Sequence, residues 1–213
     1  MLALIICLAG ILAILLVDEY LGHKKILRAE YKRKFVHIVA GAFIAFWPWL
    51  VSWRQIQLLG LAMLAVVILN RRLGIFNFMA ETARIGFGDV FLALAVTLSA
   101  ALTSDRVFFM LAILTMALAD GLAAVIGKHY GSHWKYKVFG QKKTLVGTMT
   151  FWLVALLIFG FSMPLVAGDI TPQKYILLLV VLPPVLTITE NLAAFGLDNL
   201  AIPLLTLLAL KIA

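Results

Sequence analysis

A single bundle of about seven to eight helices crossing a membrane is the all-α fold that this sequence predicts, and three observations carry that reading. The chain has 213 residues, of which 64% are apolar and 13% charged, against about half and about a quarter in soluble domains. Its apolar residues run in stretches long enough to cross a hydrocarbon core of about 30 Å. Its basic residues crowd into every second connection between those stretches. A soluble single domain is excluded, and the whole of 1–213 reads as one integral membrane domain with no linker or short-period repeat.

In chain order, spans are expected near 1–17, 35–51, 55–69, 87–102, 107–127, 146–167, 174–189 and 199–213. The clearest are the apolar runs Met1–Val17, Phe35–Val51, Val107–Ala119, Thr148–Gly168 and Tyr175–Thr189. The first has no basic residue before it and no small-residue cleavage site after it, so it reads as a retained span rather than a signal peptide. It holds the lone Cys7, which leaves no partner for an intrachain disulfide or a thiolate metal cluster. The connection after the first span carries Lys24, Lys25, Arg28, Lys32, Arg33 and Lys34; the third carries Arg71, Arg72 and Arg84; the fifth carries Lys128, Lys135, Lys137, Lys142 and Lys143. The second, fourth and sixth carry only Arg54, Arg106 and Lys174. By the positive-inside rule the odd-numbered loops are cytoplasmic and the N-terminus is outside. The net charge of +8 is thus mainly a topology signal, with anionic lipid headgroups and not nucleic acid as the implied partner. The third loop mixes Phe76, Phe78 and Met79 with its arginines and reads either as a segment lying in the headgroup plane or as a solvated linker.

Ionisable groups at or inside the rim of membrane helices are costly, so each is a candidate for function. Arg33 and His37, four apart, share a helix face at the inner end of the second span. Asp89 opens the fourth span, Asp120 interrupts the inner end of the fifth, Glu190 with Asn191 closes the seventh, and Asp198 with Asn199 opens the eighth. On the derived topology all five places fall at the cytoplasmic side, which suits a site where a lipid meets a soluble anionic cosubstrate. A single acid at a helix end is commonly a cap or rim residue, the reading favoured for Asp89 or Asp198 taken alone. Asp120, deeper in its apolar run, favours function.

The segment 120–147 is the richest. It holds Asp120, then Gly127 and Gly131 around Lys128-His129-Tyr130, then Lys142-Lys143-Thr144 with Gly147 at the start of the sixth span. Thr144 is a plausible N-cap, so free backbone N–H groups, a helix dipole and two ammonium groups are expected to converge there as a phosphate site. Carboxylates facing such a helix start suit a nucleotide with its magnesium. Asp120 is then expected to serve as magnesium ligand or alcohol-activating base, and Lys142, Lys143 and Thr144 as a phosphate clamp. His129 and His133 sit in a loop without Cys or Glu nearby and read as a surface pair. His37 reads as a proton-transfer group or phosphate ligand, or as an interhelical hydrogen bond.

Five features together, Arg33-Lys34-Phe35-Val36-His37, Gly88-Asp89, the block from Ala119-Asp120-Gly121 to Lys143-Thr144-Leu145-Val146-Gly147, Glu190-Asn191 and Gly196-Leu197-Asp198-Asn199, resemble the dolichol kinase and phytol kinase family. The resemblance runs from Arg33 to Pro203. It implies a polytopic enzyme that phosphorylates a long-chain isoprenoid alcohol, with CTP as donor. It implies a CTP site made by Asp120, Lys128, Lys142, Lys143 and Thr144, with Gly147 and Asn199 beside it. Magnesium on Asp120, Asp89 and Asp198 and catalytic parts for Arg33 and His37 follow from the same resemblance. Asp89 stands where the family pattern has glutamate. The block is also similar to that of CTP-dependent phosphatidate cytidylyltransferases, but Val146 replaces a glutamate usual in their element. Cytidylyl transfer to a lipid phosphate is therefore the second enzymatic reading, and a non-enzymatic transporter or scaffold the third.

The loop asymmetry generates a direct test. With Cys7 removed, single cysteines at positions 24, 71 and 135 should be shielded from an impermeant thiol reagent in intact cells, and cysteines at 54 and 174 labelled; external labelling at 135 would invert the topology.

Overall fold

The computed structural model describes residues 1–24, 29–73, 86–166 and 170–213. Among them are eight helices: α1 (Leu2–His23), α2 (Ala29–Ala45), α3 (Trp53–Leu73), α4 (Gly88–Leu102), α5 (Arg106–Tyr130), α6 (Leu145–Val166), α7 (Pro172–Leu192) and α8 (Asp198–Ile212). A two-stranded hairpin, β1 (Lys135–Val138) and β2 (Gln141–Thr144), joins α5 to α6. The architecture is the expected all-α membrane type. Helices α1, α3, α5, α6 and α7 are long and apolar enough to cross a membrane, while α2, α4 and α8 have 17, 15 and 15 residues. Lys25, Arg28 and the stretch with Phe76, Phe78, Met79 and Arg84 lie outside the described residues.

Two helices run past their apolar stretches because charge finds charge there. Helix α1 continues to His23 and α2 begins at Ala29. Lys32 of α2 lies 3.8 Å from Asp18 and 3.5 Å from Glu19 of α1, which makes the extra turns tolerable beside lipid. The early start also puts Arg33 and Lys34 on the same continuous helix as His37. At the opposite end, the Asp105 side chain accepts from Phe108 N–H at 2.8 Å and caps α5.

Helix α5 is the axis of the bundle, buried along most of its length, whereas α1 is exposed along most of its own. It packs against α2, α6 and α8, and Phe109, Leu111, Ile113 and Met116 bury fully among Ile44, Phe151 and Ile202 of those helices. Large apolar side chains such as Leu12, Leu61, Phe161 and Val180 are exposed on the outside, the reverse of a soluble surface and the surface a bilayer covers. Midway along α5, Thr115–Asp120 form a π-helical turn. An extra residue in one turn rotates everything beyond it, and such turns collect at functional sites. This one ends on Asp120.

The fifth loop carries more structure than its sequence announces. Its strands pair Lys135 with Thr144, Tyr136 with Lys143, Lys137 with Lys142 and Val138 with Gln141. Phe139 and Gly140 at the tip both have positive φ, 46° and 80°, the two-residue turn geometry that matches the twist of a hairpin. Four-residue strands rich in lysine show no apolar alternation, so periodicity could not announce them.

Gly127 and Gly131 are closed in by the protein's own atoms. A Cβ on Gly127 would lie 2.8 Å from the Gly147 Cα and 2.7 Å from Thr144 Oγ1, and one on Gly131 would lie 2.6 Å from the same hydroxyl. Gly127 and Gly147 are therefore the close crossing of α5 on α6, the small-residue contact that membrane helices use. Gly127→Ala should cost about 1–3 kcal/mol through overpacking. Gly160→Ala, on α6 where a Cβ meets open space, should be neutral or stabilise by up to about 1 kcal/mol through helix propensity. Thermal unfolding of the two variants in detergent checks the contrast.

Candidate functional site

Three carboxylates from three helices meet at the end of the bundle where α2 and α8 begin and α7 finishes. Asp120 closes the π turn of α5, Glu190 lies in the last turn of α7 and Asp198 opens α8. One oxygen from each lies within 4.8 Å of the other two. Asp120 and Glu190 are buried and Asp198 half-buried, so the cluster needs cations close by.

Two lysines supply them. Lys34 Nζ reaches Asp120 Oδ2 at 2.6 Å, and His37 Nε2 lies 3.4 Å from the same oxygen and 3.3 Å from the Met116 carbonyl inside the π turn. Three residues apart on α2, Lys34 and His37 share the face turned to α5. From the hairpin, Lys143 donates to the Glu190 carboxylate and, at 3.0 Å, to the Glu190 carbonyl. Burial by itself would lower the Lys143 pKa, but the Glu190 carboxylate outweighs it and holds the ammonium above its ordinary range. Lys143 therefore stays charged throughout the neutral range. Asp198 accepts from the Asn199 N–H at 3.0 Å and has no ion pair within 4 Å among the described residues. Three carboxylates thus face two ammonium groups and one imidazole.

The start of α8 is held by backbone. Phe195 and Gly196 have φ of 57° and 89°, and a Cβ on Gly196 would come 2.5 Å from Gly88 Cα. Only glycine allows that approach in that conformation. Asn199 Nδ2 donates to the Gly88 carbonyl at 2.8 Å, and Phe87 N–H donates to the Phe195 carbonyl at 2.8 Å. Asn199, expected from the resemblance beside the nucleotide, thus ties α8 to α4. Its Oδ1 is buried without a hydrogen-bond partner among the described residues.

Of the residues singled out from the sequence, the fold brings Asp120, Glu190, Asp198, His37 and Lys143 together. It does not bring Asp89, whose carboxylate is gripped by the Arg71 guanidinium, with Nε at 3.1 Å; Arg71 also reaches the Gly86 carbonyl at 2.6 Å. Asp89, expected beside Asp120 and Asp198 as a magnesium ligand, lies outside the carboxylate triad. Arg33 is exposed on α2, and it is Lys34, one residue on, that turns inward. Lys142 is exposed as well, because neighbours on a strand point to opposite faces, so Lys142 and Lys143 do not converge. Lys128 is exposed with its ammonium 5.6 Å from the Tyr31 ring centre. Thr144 is the cap expected of it, its hydroxyl accepting from Gly147 N–H at 3.0 Å. That N–H is consequently engaged within the helix start.

Sequence reasoning left Lys34 and Glu190 without a role. Glu190 carried a usable signal as a rim carboxylate closing an apolar span. Lys34 stood equal to Arg33 in the same basic run, and only the rotation of α2 separates them.

Among curated proteins, the chain is similar to the phytol kinase of Synechocystis sp., 32% identical over 207 residues, which cover 90% of this chain and 83% of that one. No protein-family model matches the chain, and no solved structure matches it.

The Lys143–Glu190 pair should be costly to break from one side and cheaper to remove whole. Lys143→Met and Glu190→Gln each leave a partner behind in a buried place and should destabilise by about 3–5 kcal/mol. The double variant should recover part of that loss, as read in a thermal-unfolding double-mutant cycle.

Proposed function

The chain belongs to the family of dolichol and phytol kinases, and from that membership we propose that it is a membrane kinase transferring the γ-phosphoryl group of CTP to the hydroxyl of a long-chain isoprenoid alcohol at the cytoplasmic face. The observation that carries the proposal is the triad of Asp120, Glu190 and Asp198 within 4.8 Å, bordered by two lysines at the end of the bundle that carries the basic loops. Lysines and helix starts recognise phosphates rather than bases, so the preference for CTP rests on the family.

The donor set fits magnesium. Hard carboxylate oxygens from three helices, within 4.8 Å of one another, are what a small divalent cation requires. Asp120, Glu190 and Asp198 would hold it, and when bound it would neutralise the β- and γ-phosphates.

The protein's own residues do the rest by position and charge. Lys34 and Lys143, resting on Asp120 and Glu190, would exchange a carboxylate for a phosphate brought to the triad. Arg33, Lys128 and Lys142 form an exposed basic rim that draws the triphosphate in by long-range attraction. The lipid hydroxyl oxygen bonds to Pγ as the bond from Pγ to the β–γ bridging oxygen breaks. The hydroxyl proton passes to Nδ1 of His37, whose Nε2–H is held by the Met116 carbonyl and faces Asp120. CDP and a lipid monophosphate leave. Asn199 and Gly147 contribute by holding helix starts in place.

Purified protein given magnesium, γ-labelled CTP and phytol or a polyprenol should form a labelled lipid monophosphate and CDP. Asp120→Asn should lower kcat by at least about a hundredfold while weakening CTP binding less, since the lost charge acts most on the transferring state. Pyrophosphate and a CDP-lipid would mark a cytidylyltransferase, turnover with ATP alone would reverse the donor, and an absence of both turnover and nucleotide-dependent stabilisation would leave a transporter or scaffold.

A further inference from the structure

The hairpin that carries Lys143 is too short to hold itself, since two isolated strands are marginal at best in water. Its base is closed by one backbone bond, Leu145 N–H to the Trp134 carbonyl at 2.9 Å. Its faces divide sharply: Lys135, Lys137 and Lys142 are exposed, while Tyr136, Val138, Gln141 and Lys143 turn toward the bundle. Tyr136 and Lys143 are direct cross-strand partners, so both side chains leave the hairpin at one level and on one side.

They land on adjacent residues of α7. Lys143 takes Glu190, and the Tyr136 hydroxyl donates to Asn191 Oδ1. The same Oδ1 accepts from the Thr148 hydroxyl of α6 at 3.1 Å, and Asn191 Nδ2 donates to the Thr187 carbonyl at 2.9 Å. The amide is thereby oriented from both ends, with the Tyr136 and Thr148 hydroxyls also in contact. The two docking bonds differ in kind. The Lys143 bond is an ion pair that an arriving phosphate or cation competes for. The Tyr136 bond is neutral, and neither competitor displaces it.

We propose that Tyr136, through Asn191 and Thr148, is the positioning residue that keeps the hairpin seated on α7 while Lys143 changes partners from Glu190 to the donor's phosphate. For its kinetic consequence this rests on the proposed kinase reading; the latch itself does not. Without it, release of Lys143 from Glu190 frees the hairpin, and the ammonium must be brought back to the phosphate at an entropic cost on every turnover.

Tyr136→Phe keeps the ring and removes only the hydroxyl. Two measurements test the role. Amide hydrogen exchange across 135–144 should accelerate about tenfold in the variant, the loss of roughly one hydrogen bond, with exchange in α5 unchanged. In steady state the donor KM should rise about tenfold, with kcat and acceptor KM within about twofold, and in a Lys143→Ala background the same substitution should leave donor KM unmoved. A general loss of packing would instead speed exchange in α5 as well and shift both backgrounds alike. Unchanged hairpin exchange, or an equal KM effect with and without Lys143, overturns the proposal. If the parent protein turns over no nucleotide, the kinase reading fails and the exchange measurement alone decides the latch.

Discussion

A carboxylate set into an apolar helix survives only where a cation can reach it, and the contact between Lys34 and Asp120 is the place where this bundle meets that condition at its centre. Asp120 lies on α5, the helix around which α2, α6 and α8 pack, so its charge cannot be relieved at the periphery. The π turn swings it toward α2, the early start of α2 extends the helix far enough back to include Lys34, and the α1 acids that clasp Lys32 support that extension. Each of these irregularities would be costly alone; together they place one ion pair.

The second pair, Lys143 with Glu190, is built differently. Its cation arrives on a hairpin outside the helices, so the α5–α6 connection has to be brought back over the bundle. The glycine crossing of Gly127 on Gly147 draws the two helices together, the Thr144 cap fixes where α6 starts, and the turn at Phe139 and Gly140 reverses the chain in the least length. The glycines of this block thus serve the protein's own packing, and that packing delivers Lys143 to Glu190.

Taken together, the pairs make a site in which two ammonium groups rest on two of three clustered carboxylates. Under the proposed reading a polyphosphate with its cation would present each group with its complement. Interactions of this kind gain strength away from water, and Asp120 and Glu190 are buried between helix ends.

How much of this was legible beforehand follows from what each signal measures. Apolar run length is a property of the chain, so a membrane bundle of about seven to eight helices could be read from it, and the clustering of rim acids at one end followed from alternating loop charge. Asp120 was legible because an acid within an apolar run has few cheap explanations. Helix rotation, strand parity and inter-helix distance are not properties of the chain. Arg33 and Lys34 are equivalent in sequence until α2 is turned against α5, Lys142 and Lys143 until a strand sets them on opposite faces, and Asp89 and Glu190 until Arg71 takes the first and the hairpin lysine the second. By itself the sequence determined that this protein is a membrane bundle with costly charge at one end, because burial is priced residue by residue. The tertiary structure alone decided which of those charges meet, because a few ångströms and a hundred degrees of helix rotation separate a site residue from its exposed neighbour.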